Sequence, residues 1–276
     1  MEYKMLKVFK ERRLIRTLAE AVNFVLIRLM GVKISKQIGI EGYSIARRVF
    51  KNRHLKKSDQ GYFYVDPMPS EEELATYYSN TYWDSREGKN YGVSARDLVH
   101  YNLLKSQIPD FFKDTNKLVV NFGAGHGGIS NLLWLSGFDI INVEPSGLPQ
   151  FYSSRWTNFI STVDIEDNSV DLIYGSHSLE HVQNIDSFKE EMKRILKPDA
   201  YLFWEVPNAI HPLNGSMNNR IDIPHTYYFL KEFFDGWLGE VILNDAFDQS
   251  HVDGIIEKWV DYKNDTGVVI RVLGRL

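Results

Sequence analysis

The chain has 276 residues, of which 43% are hydrophobic, 25% are charged and none is cysteine. This composition excludes a fibrous, collagenous or intrinsically disordered chain, and it also excludes disulfides, thiolate zinc sites and cysteine nucleophiles. The net charge of -4 hides an asymmetry, because residues 1–60 hold 15 Lys and Arg against 5 Asp and Glu, whereas the other residues hold 17 against 31.

Residues 1–60 predict a basic helical extension. A first helix is expected over 5–30, and a second basic segment, 40–57, contains a short helix around 43–50. The apolar stretch at 21–30 is too short to cross a bilayer, which takes about 20 residues, and no secretory signal precedes it. Residues 1–57 could lie on the inner face of a membrane, as in a peripheral cytoplasmic protein, or pack on the acidic remainder of the chain.

Residues 61–112 are interpreted as a small cap and linker. The segment Gly61-Tyr-Phe-Tyr-Val-Asp-Pro-Met-Pro69 predicts a short strand closed by prolines. Ser70, followed by three glutamates, predicts a capped helix start, and an aromatic segment at 77–83 comes next. A further helix is expected over 94–112.

Residues 113–276 are interpreted as one α/β domain. Short apolar runs alternate there with amphipathic segments, which is typical of a Rossmann-like, mostly parallel sheet of seven strands with helices on both faces. The predicted strands cover 118–122, 138–144, 158–162, 170–174, 201–206, 240–244 and 267–273. The predicted helices cover 128–136, 184–196 and 228–238.

A glycine-rich loop follows the first strand of this domain, in the segment Asn121-Phe-Gly-Ala-Gly-His-Gly127. Glycine tolerates positive φ and brings backbone close to a ligand, and the following helix offers free N–H groups. Glu144, at the end of the next strand, can accept hydrogen bonds from both hydroxyls of a ribose. Nicotinamide enzymes and S-adenosylmethionine (SAM) enzymes both use this device, so the loop leaves both cofactors open.

The downstream sequence favours SAM. The segment Asp164-Ile-Glu-Asp-Asn-Ser-Val-Asp-Leu-Ile-Tyr-Gly-Ser-His-Ser-Leu-Glu-His-Val182 resembles the fourth-strand region of class I SAM-dependent methyltransferases of the ubiquinone-biosynthesis-like group. The resemblance continues through Phe188-Lys-Glu-Glu-Met-Lys-Arg-Ile-Leu-Lys-Pro198, Glu205-Val-Pro-Asn208 and Pro224-His225. It implies a Rossmann-like fold and SAM as the cofactor.

The resemblance also assigns cofactor contacts by position. It implies that the glycine loop passes the methionine part of SAM, that Glu144 holds the ribose, and that Asp164 with the Ile165 backbone meets the adenine. Asn121 stands where the family often has Asp or Glu, so its amide can accept a hydrogen bond from the cofactor's amino group but supplies no charge. The full set of implied cofactor residues is Asn121, Gly123, Ala124, Gly125, Gly127, Glu144, Asp164, Ile165 and Ser176.

His181 is the expected general base, because it follows the fourth strand at the carboxyl edge of the sheet and histidine exchanges protons near neutral pH. Glu180 would orient the substrate or tune the imidazole. His225 and Tyr82 complete the expected catalytic set, although Tyr82 could instead pack the cap onto the body, and each histidine could be structural. No metal site is expected.

The segment from Gly61 to Tyr82 resembles the stretch that precedes the catalytic domain in bacterial sugar and surface-glycan methyltransferases, many of which carry an upstream cysteine zinc cluster that this chain lacks. The resemblance implies O-methylation of a saccharide in surface-polysaccharide or nucleotide-sugar biosynthesis. Two alternatives stay open: a methyltransferase for a quinone-like or other lipophilic acceptor, and a catalytically silent SAM-binding partner protein. No nucleic-acid partner is expected, and the oligomeric state stays open.

Overall fold

The computed structural model describes residues 54–76, 92–145, 156–159, 161–211, 225–251, 259–263, 265 and 267–276. The helices expected over 5–30 and 43–50 lie outside the described residues, as does Tyr82. Within the described part of the chain, no helix is both long enough and apolar enough to cross a bilayer.

Helices and strands alternate through most of the described chain. The helices are α1 Glu71–Thr76, α2 Ala95–Gln107, α3 Gly128–Leu135, α4 Ile185–Ile195 and α5 Lys231–Trp237, with 3₁₀ turns at Phe111–Lys113 and Leu179–His181. The strands are β1 His54–Lys57, β2 Tyr62–Asp66, β3 Leu118–Phe122, β4 Asp139–Val143, β5 Thr157–Phe159, β6 Val170–Ser176, β7 Leu196–Pro207, β8 Tyr227–Phe229, β9 Glu240–His251, β10 Trp259–Lys263 and β11 Val269–Arg275.

The main sheet has the strand order β10-β9-β11-β7-β6-β3-β4-β5. The strands from β7 through β6, β3 and β4 to β5 are parallel to one another, whereas β11 runs antiparallel to β7 and β9. This arrangement confirms the predicted Rossmann-like sheet. The strand β10, which pairs antiparallel with β9, adds an edge strand that the sequence pattern did not predict.

The two faces of this sheet bury separate apolar clusters, because successive side chains of a strand point to opposite faces. Val120 and Ile173 belong to one cluster, in which α4 and α5 also pack. Their neighbours Val119 and Leu172 belong to the other, which includes residues of α2 and α3. Helices therefore cover both faces, as predicted.

The helix α2 begins and ends where local chemistry requires. The Ser94 hydroxyl accepts from the Asp97 backbone, while the Asp97 carboxylate accepts from the Ser94 backbone N–H at 2.7 Å, so a capping box starts the helix. The predicted extension to residue 112 is wrong, because Pro109 disfavours helical backbone at Ile108 and a 3₁₀ turn follows. The capped start at Ser70 is confirmed by its bonds with Glu73.

A second, three-stranded sheet has the order β1-β2-β8. The predicted strand at 61–69 is confirmed as β2, whereas β1 was not predicted. The predicted helix at 228–238 is wrong at its start, because Tyr227–Phe229 pairs with β2 as a strand and the helix begins only at Lys231. Aromatic residues favour a half-buried strand when a partner is available. This small sheet joins residues of both predicted regions, and the boundary near 112 stays a prediction.

Candidate active site

The glycine loop lies at the carboxyl edge of the parallel strands, between β3 and α3. Gly123, Gly125 and Gly127 all have positive φ, at 68°, 52° and 73°. The backbone N–H groups of Gly123 and Ala124 donate to Val143 O at 2.8 and 3.1 Å, which fixes the loop against the end of β4. Such backbone is available to glycine at little cost and leaves no side chain between the chain and a ligand.

Glu144 follows β4 and is partly buried beside this loop. Its Oε2 accepts from the Gly125 backbone N–H at 2.8 Å. The carboxylate therefore lies directly against the glycine backbone, where it can accept from a ribose diol while a nucleoside crosses the strand ends. Both features fit a SAM-type cofactor.

Asn121 is buried inside β3 and takes part in a polar chain behind the loop. Its Nδ2 donates to Ser130 Oγ at 2.8 Å, and Ser130 Oγ donates to Asn142 Oδ1 at 2.6 Å. This chain joins β3, α3 and β4 beneath the glycine loop. The amide thus has a structural role in addition to its predicted contact with the cofactor's amino group, which stays a prediction.

Asp164 and Ile165 lie in the loop after β5, and Arg194 of α4 holds that loop in place. The Arg194 guanidinium donates to Ile165 O at 2.8 Å, to Thr162 O at 3.2 Å and to Asp167. The Ile165 backbone N–H donates to Thr162 O at 2.9 Å, so both of its backbone groups are bonded within the protein. Asp164 is exposed, and its carboxylate is the better candidate of the pair for the predicted adenine contact.

The turn after β6 packs against the glycine loop. A Cβ added to Gly123 would lie 2.4 Å from Ser178 Cβ, so the two segments are in van der Waals contact. His177 has a φ of 53°, in the left-handed region that non-glycine residues seldom adopt. The following 3₁₀ turn, Leu179–His181, therefore starts directly after a residue that contacts the cofactor loop.

Glu180, His181 and His225 meet beside this turn. One possible ligand atom from each residue lies within 4.8 Å of those of the other two. His181 and His225 form an edge-to-face ring pair with centroids 4.7 Å apart. The backbone N–H and hydroxyl of Thr226 both donate to Glu180 O at 2.8 Å, which ties the start of β8 to the turn. Three of the four predicted catalytic residues are thus together.

A buried carboxylate, Glu205, lies behind the turn, and the sequence did not predict its surroundings. His100 Nε2 donates to its Oε2 at 2.8 Å, and the Arg271 Nε donates to the same oxygen at 2.8 Å. Ser176 Oγ donates to Oε1 at 3.3 Å, and the Arg96 Nε lies 3.4 Å away. Ser176, a predicted cofactor residue, therefore bonds to this cluster.

These contacts set the charges of the cluster. Burial opposes ionisation of Glu205, but His100 and the neighbouring cationic and donor groups hold its pKa well below the usual value. Burial lowers the pKa of His100, so its ring is neutral, donating from Nε2 and accepting from the Tyr174 hydroxyl at Nδ1. Burial and Arg96 lower the pKa of His177, but its contacts with Glu180 and Glu205 outweigh them and raise it.

Sequence reasoning missed Arg96, His100 and Arg271. One signal was available, because Glu205 and Arg271 each interrupt an otherwise apolar strand, and a buried charge needs a partner. They face each other across β7 and β11 in register. Without knowledge of that pairing the two charges could not be matched.

Comparisons with known proteins gave a family match and several structures of similar fold. Residues 89–240 match the model of a family described as a methyltransferase domain. A Burkholderia thailandensis 1,6-didemethyltoxoflavin-N1-methyltransferase, solved with that substrate and S-adenosylhomocysteine, is 13% identical, with a TM-score of 0.51 over 82% of this chain and 96% of that one. A SAM-dependent methyltransferase from Thermotoga maritima is 15% identical, with a TM-score of 0.46 over 65% and 96%. No curated protein matches by sequence.

Proposed function

The chain belongs to the family of methyltransferase domains, since residues 89–240 match that family's model, and we propose that it methylates a hydroxyl oxygen of a saccharide acceptor. Its cofactor is SAM, which supplies an activated methyl group. The proposal extends to an acceptor in surface-polysaccharide or nucleotide-sugar biosynthesis. The protein's own part is to bind the two reactants in line and to remove the hydroxyl proton.

The cofactor half of the proposal rests on the glycine loop and Glu144. Loop backbone with three positive-φ glycines lies against one carboxylate, at the strand ends where ligands bind in open α/β folds. We assign the ribose to Glu144 and the adenine to the loop held by Arg194. The methionine part then runs along the glycine loop toward the turn after β6.

The acceptor half rests on one observation, the group Glu180, His181 and His225 beside that turn. Methylation of a neutral hydroxyl releases its proton, so a site for such an acceptor needs polar, proton-handling groups close to the cofactor. A carboxylate and two imidazoles in contact with the segment that packs on Gly123 meet this requirement. We therefore assign the acceptor hydroxyl to this group.

The saccharide assignment has support from the cap. The segment that resembles sugar methyltransferases forms β2 and α1, and Val65 N donates to Thr226 O at 3.0 Å. Thr226 follows His225 and is bonded to Glu180, so the resembling segment supports the histidine group itself. The segment that resembles sugar methyltransferases is therefore bonded to the segment that resembles the catalytic region of SAM-dependent methyltransferases.

The test is an acceptor screen with purified chain and SAM, read by release of S-adenosylhomocysteine and by a mass increase of one methylene in the product. We expect turnover with sugar nucleotides or glycan fragments, and His181→Ala should lower that turnover while leaving the affinity for S-adenosylhomocysteine nearly unchanged. Turnover only with quinone precursors would move the assignment to a lipophilic acceptor. Cofactor binding without turnover on any acceptor would favour a silent binding protein.

A further inference from the structure

Glu180 is buried, and in the described part of the chain its carboxylate has only long contacts with imidazole nitrogens. Its side chain is only 1% exposed, and neither carboxylate oxygen has a hydrogen bond within the described part of the chain. The nearest cationic or donor atoms are His177 Nδ1 at 3.4 Å and His181 Nε2 at 3.9 Å, both on Oε1. A buried carboxylate without hydrogen bonds costs several kcal/mol, so this side chain is held ready for a partner.

Two imidazoles lie near this carboxylate. His181 is next to Glu180 in the 3₁₀ turn, and His225 lies just before β8. Because Thr226 is bonded to Glu180 O and Val182 O through its hydroxyl, the backbone that carries His225 is fixed relative to the turn. Two separate elements thus bring three ligand-type side chains to one point.

From this geometry we infer that Glu180, His181 and His225 bind a divalent transition-metal ion. Two imidazole nitrogens and one carboxylate oxygen suit Zn²⁺ and its first-row neighbours, whereas Mg²⁺ and Ca²⁺ prefer oxygen ligands alone. Ligand atoms around a tetrahedral Zn²⁺ are about 3.3 Å apart, given bonds of about 2.0–2.2 Å. The present separations of up to 4.8 Å shorten to that value if the ligand atoms approach one another by about 1.5 Å.

His177 also lies beside the Glu180 carboxylate. Its Nδ1 lies 3.4 Å from Glu180 Oε1, and its Nε2 lies 3.3 Å from Glu205 Oε1. An imidazole beside a ligating carboxylate is the arrangement that orients ligands in metal sites. The buried Glu205 cluster therefore reaches the proposed site through His177.

Three protein ligands leave at least one coordination position open, and two of the three lie in the 3₁₀ turn that follows the contact between Ser178 and Gly123. An acceptor hydroxyl bound there would have a lowered pKa, so its proton would pass to water near neutral pH, and the two imidazoles would then act as metal ligands and not as proton acceptors. This role rests on the proposed function, because it requires a hydroxyl acceptor. Binding of the ion itself does not depend on it.

The direct test uses the full-length chain after dialysis against a chelator, titrated with Co²⁺ and followed by visible absorption. We expect one equivalent of Co²⁺ with the ligand-field bands of a low-symmetry site, displaced by one equivalent of Zn²⁺. If the wild-type chain takes up neither ion at micromolar concentration, the inference is wrong. This result needs no variant, so a folding defect cannot imitate it.

Variants then locate the ion. Glu180→Gln and His225→Asn should each weaken Co²⁺ binding by more than roughly 10–100-fold, which is the effect of losing a group that only supports a ligand. The control is His211→Asn, which changes a histidine paired with Asp248 and should leave Co²⁺ binding unchanged. Unchanged binding in both site variants would place the ion elsewhere and overturn the assignment. Binding of S-adenosylhomocysteine should survive removal of the metal, which separates failure of this inference from failure of the cofactor site.

Discussion

Glu205→Gln should destabilise the fold strongly, because it removes a buried negative charge and keeps the volume. The Glu205 side chain is fully buried and Arg271, its cross-strand neighbour, is 1% exposed. Removing one partner of a buried ion pair costs about 3–5 kcal/mol, since the other charge stays out of water. The glutamine oxygen can take the position of Oε2 and accept from both His100 and Arg271, but the charge is lost and the NH₂ group then faces Arg96 Nε at the position of Oε1. We expect a loss near the lower end of that range, about 3 kcal/mol.

The assay is urea unfolding of wild type and variant, followed by circular dichroism. Glu240→Gln is the matched control, because it breaks an exposed pair with Arg275 and should cost no more than about 1 kcal/mol. Arg271→Met in the Glu205→Gln background should recover part of the loss, because it removes the uncompensated cation. If Glu205→Gln were as stable as the control, the Glu205 carboxylate could not be the counterion that stabilises the buried Arg271.

Three further predictions concern packing, pH and the cofactor loop. Gly175→Ala places a Cβ 1.9 Å from a ring carbon of Trp204 and should lower the free energy of unfolding in urea by about 1–3 kcal/mol or more. Gly236→Ala, which has open space around the new Cβ, should leave that free energy unchanged or raise it. Equal stability of the two variants would contradict the packing of Gly175 against Trp204. Because the pKa of His100 is lowered from 6.5 in the folded state, only the unfolded chain takes up this proton as pH falls below 6.5, and stability declines by up to about 1.4 kcal/mol per pH unit. His100→Gln should flatten that decline between pH 6.5 and 5, and an unchanged slope would mean that the ring titrates normally. Arg194→Lys should weaken S-adenosylhomocysteine binding roughly 5- to 30-fold, since it loses one or two loop hydrogen bonds of about 1 kcal/mol each; an unchanged affinity in calorimetry would remove this arginine from the cofactor site.

The parallel half of the sheet was predictable because its signals are local. Apolar runs, the glycine loop and the capped helix start at Ser70 each occupy a few consecutive residues, and each has one favoured structure. Local chemistry therefore gave the fold class, whereas the cofactor contacts of the glycine loop stay a prediction.

The features that were missed depend on contacts between distant segments. Tyr227–Phe229 is a strand only because β2 lies beside it, and an aromatic run of that length does not distinguish a strand from a helix. The Glu205 cluster joins α2, β6, β7 and β11, and no sequence spacing links His100 to it. For the same reason His225 could not be grouped with Glu180 as ligands of one ion before the topology was known.

The most direct test of the cofactor site is calorimetric titration of S-adenosylhomocysteine into wild type, Glu144→Gln and Asp139→Asn. The glutamine oxygen can still accept from Gly125 N, so the loop is preserved while the charge on the ribose is lost. Asp139 is exposed at the opposite end of the same strand and serves as the control. We expect one site per chain, with affinity reduced about 10- to 100-fold in Glu144→Gln, as loss of a charged hydrogen bond of about 1.5–3 kcal/mol requires, and unchanged in Asp139→Asn. Equal affinity in Glu144→Gln and wild type would contradict the assignment of this carboxylate to the ribose.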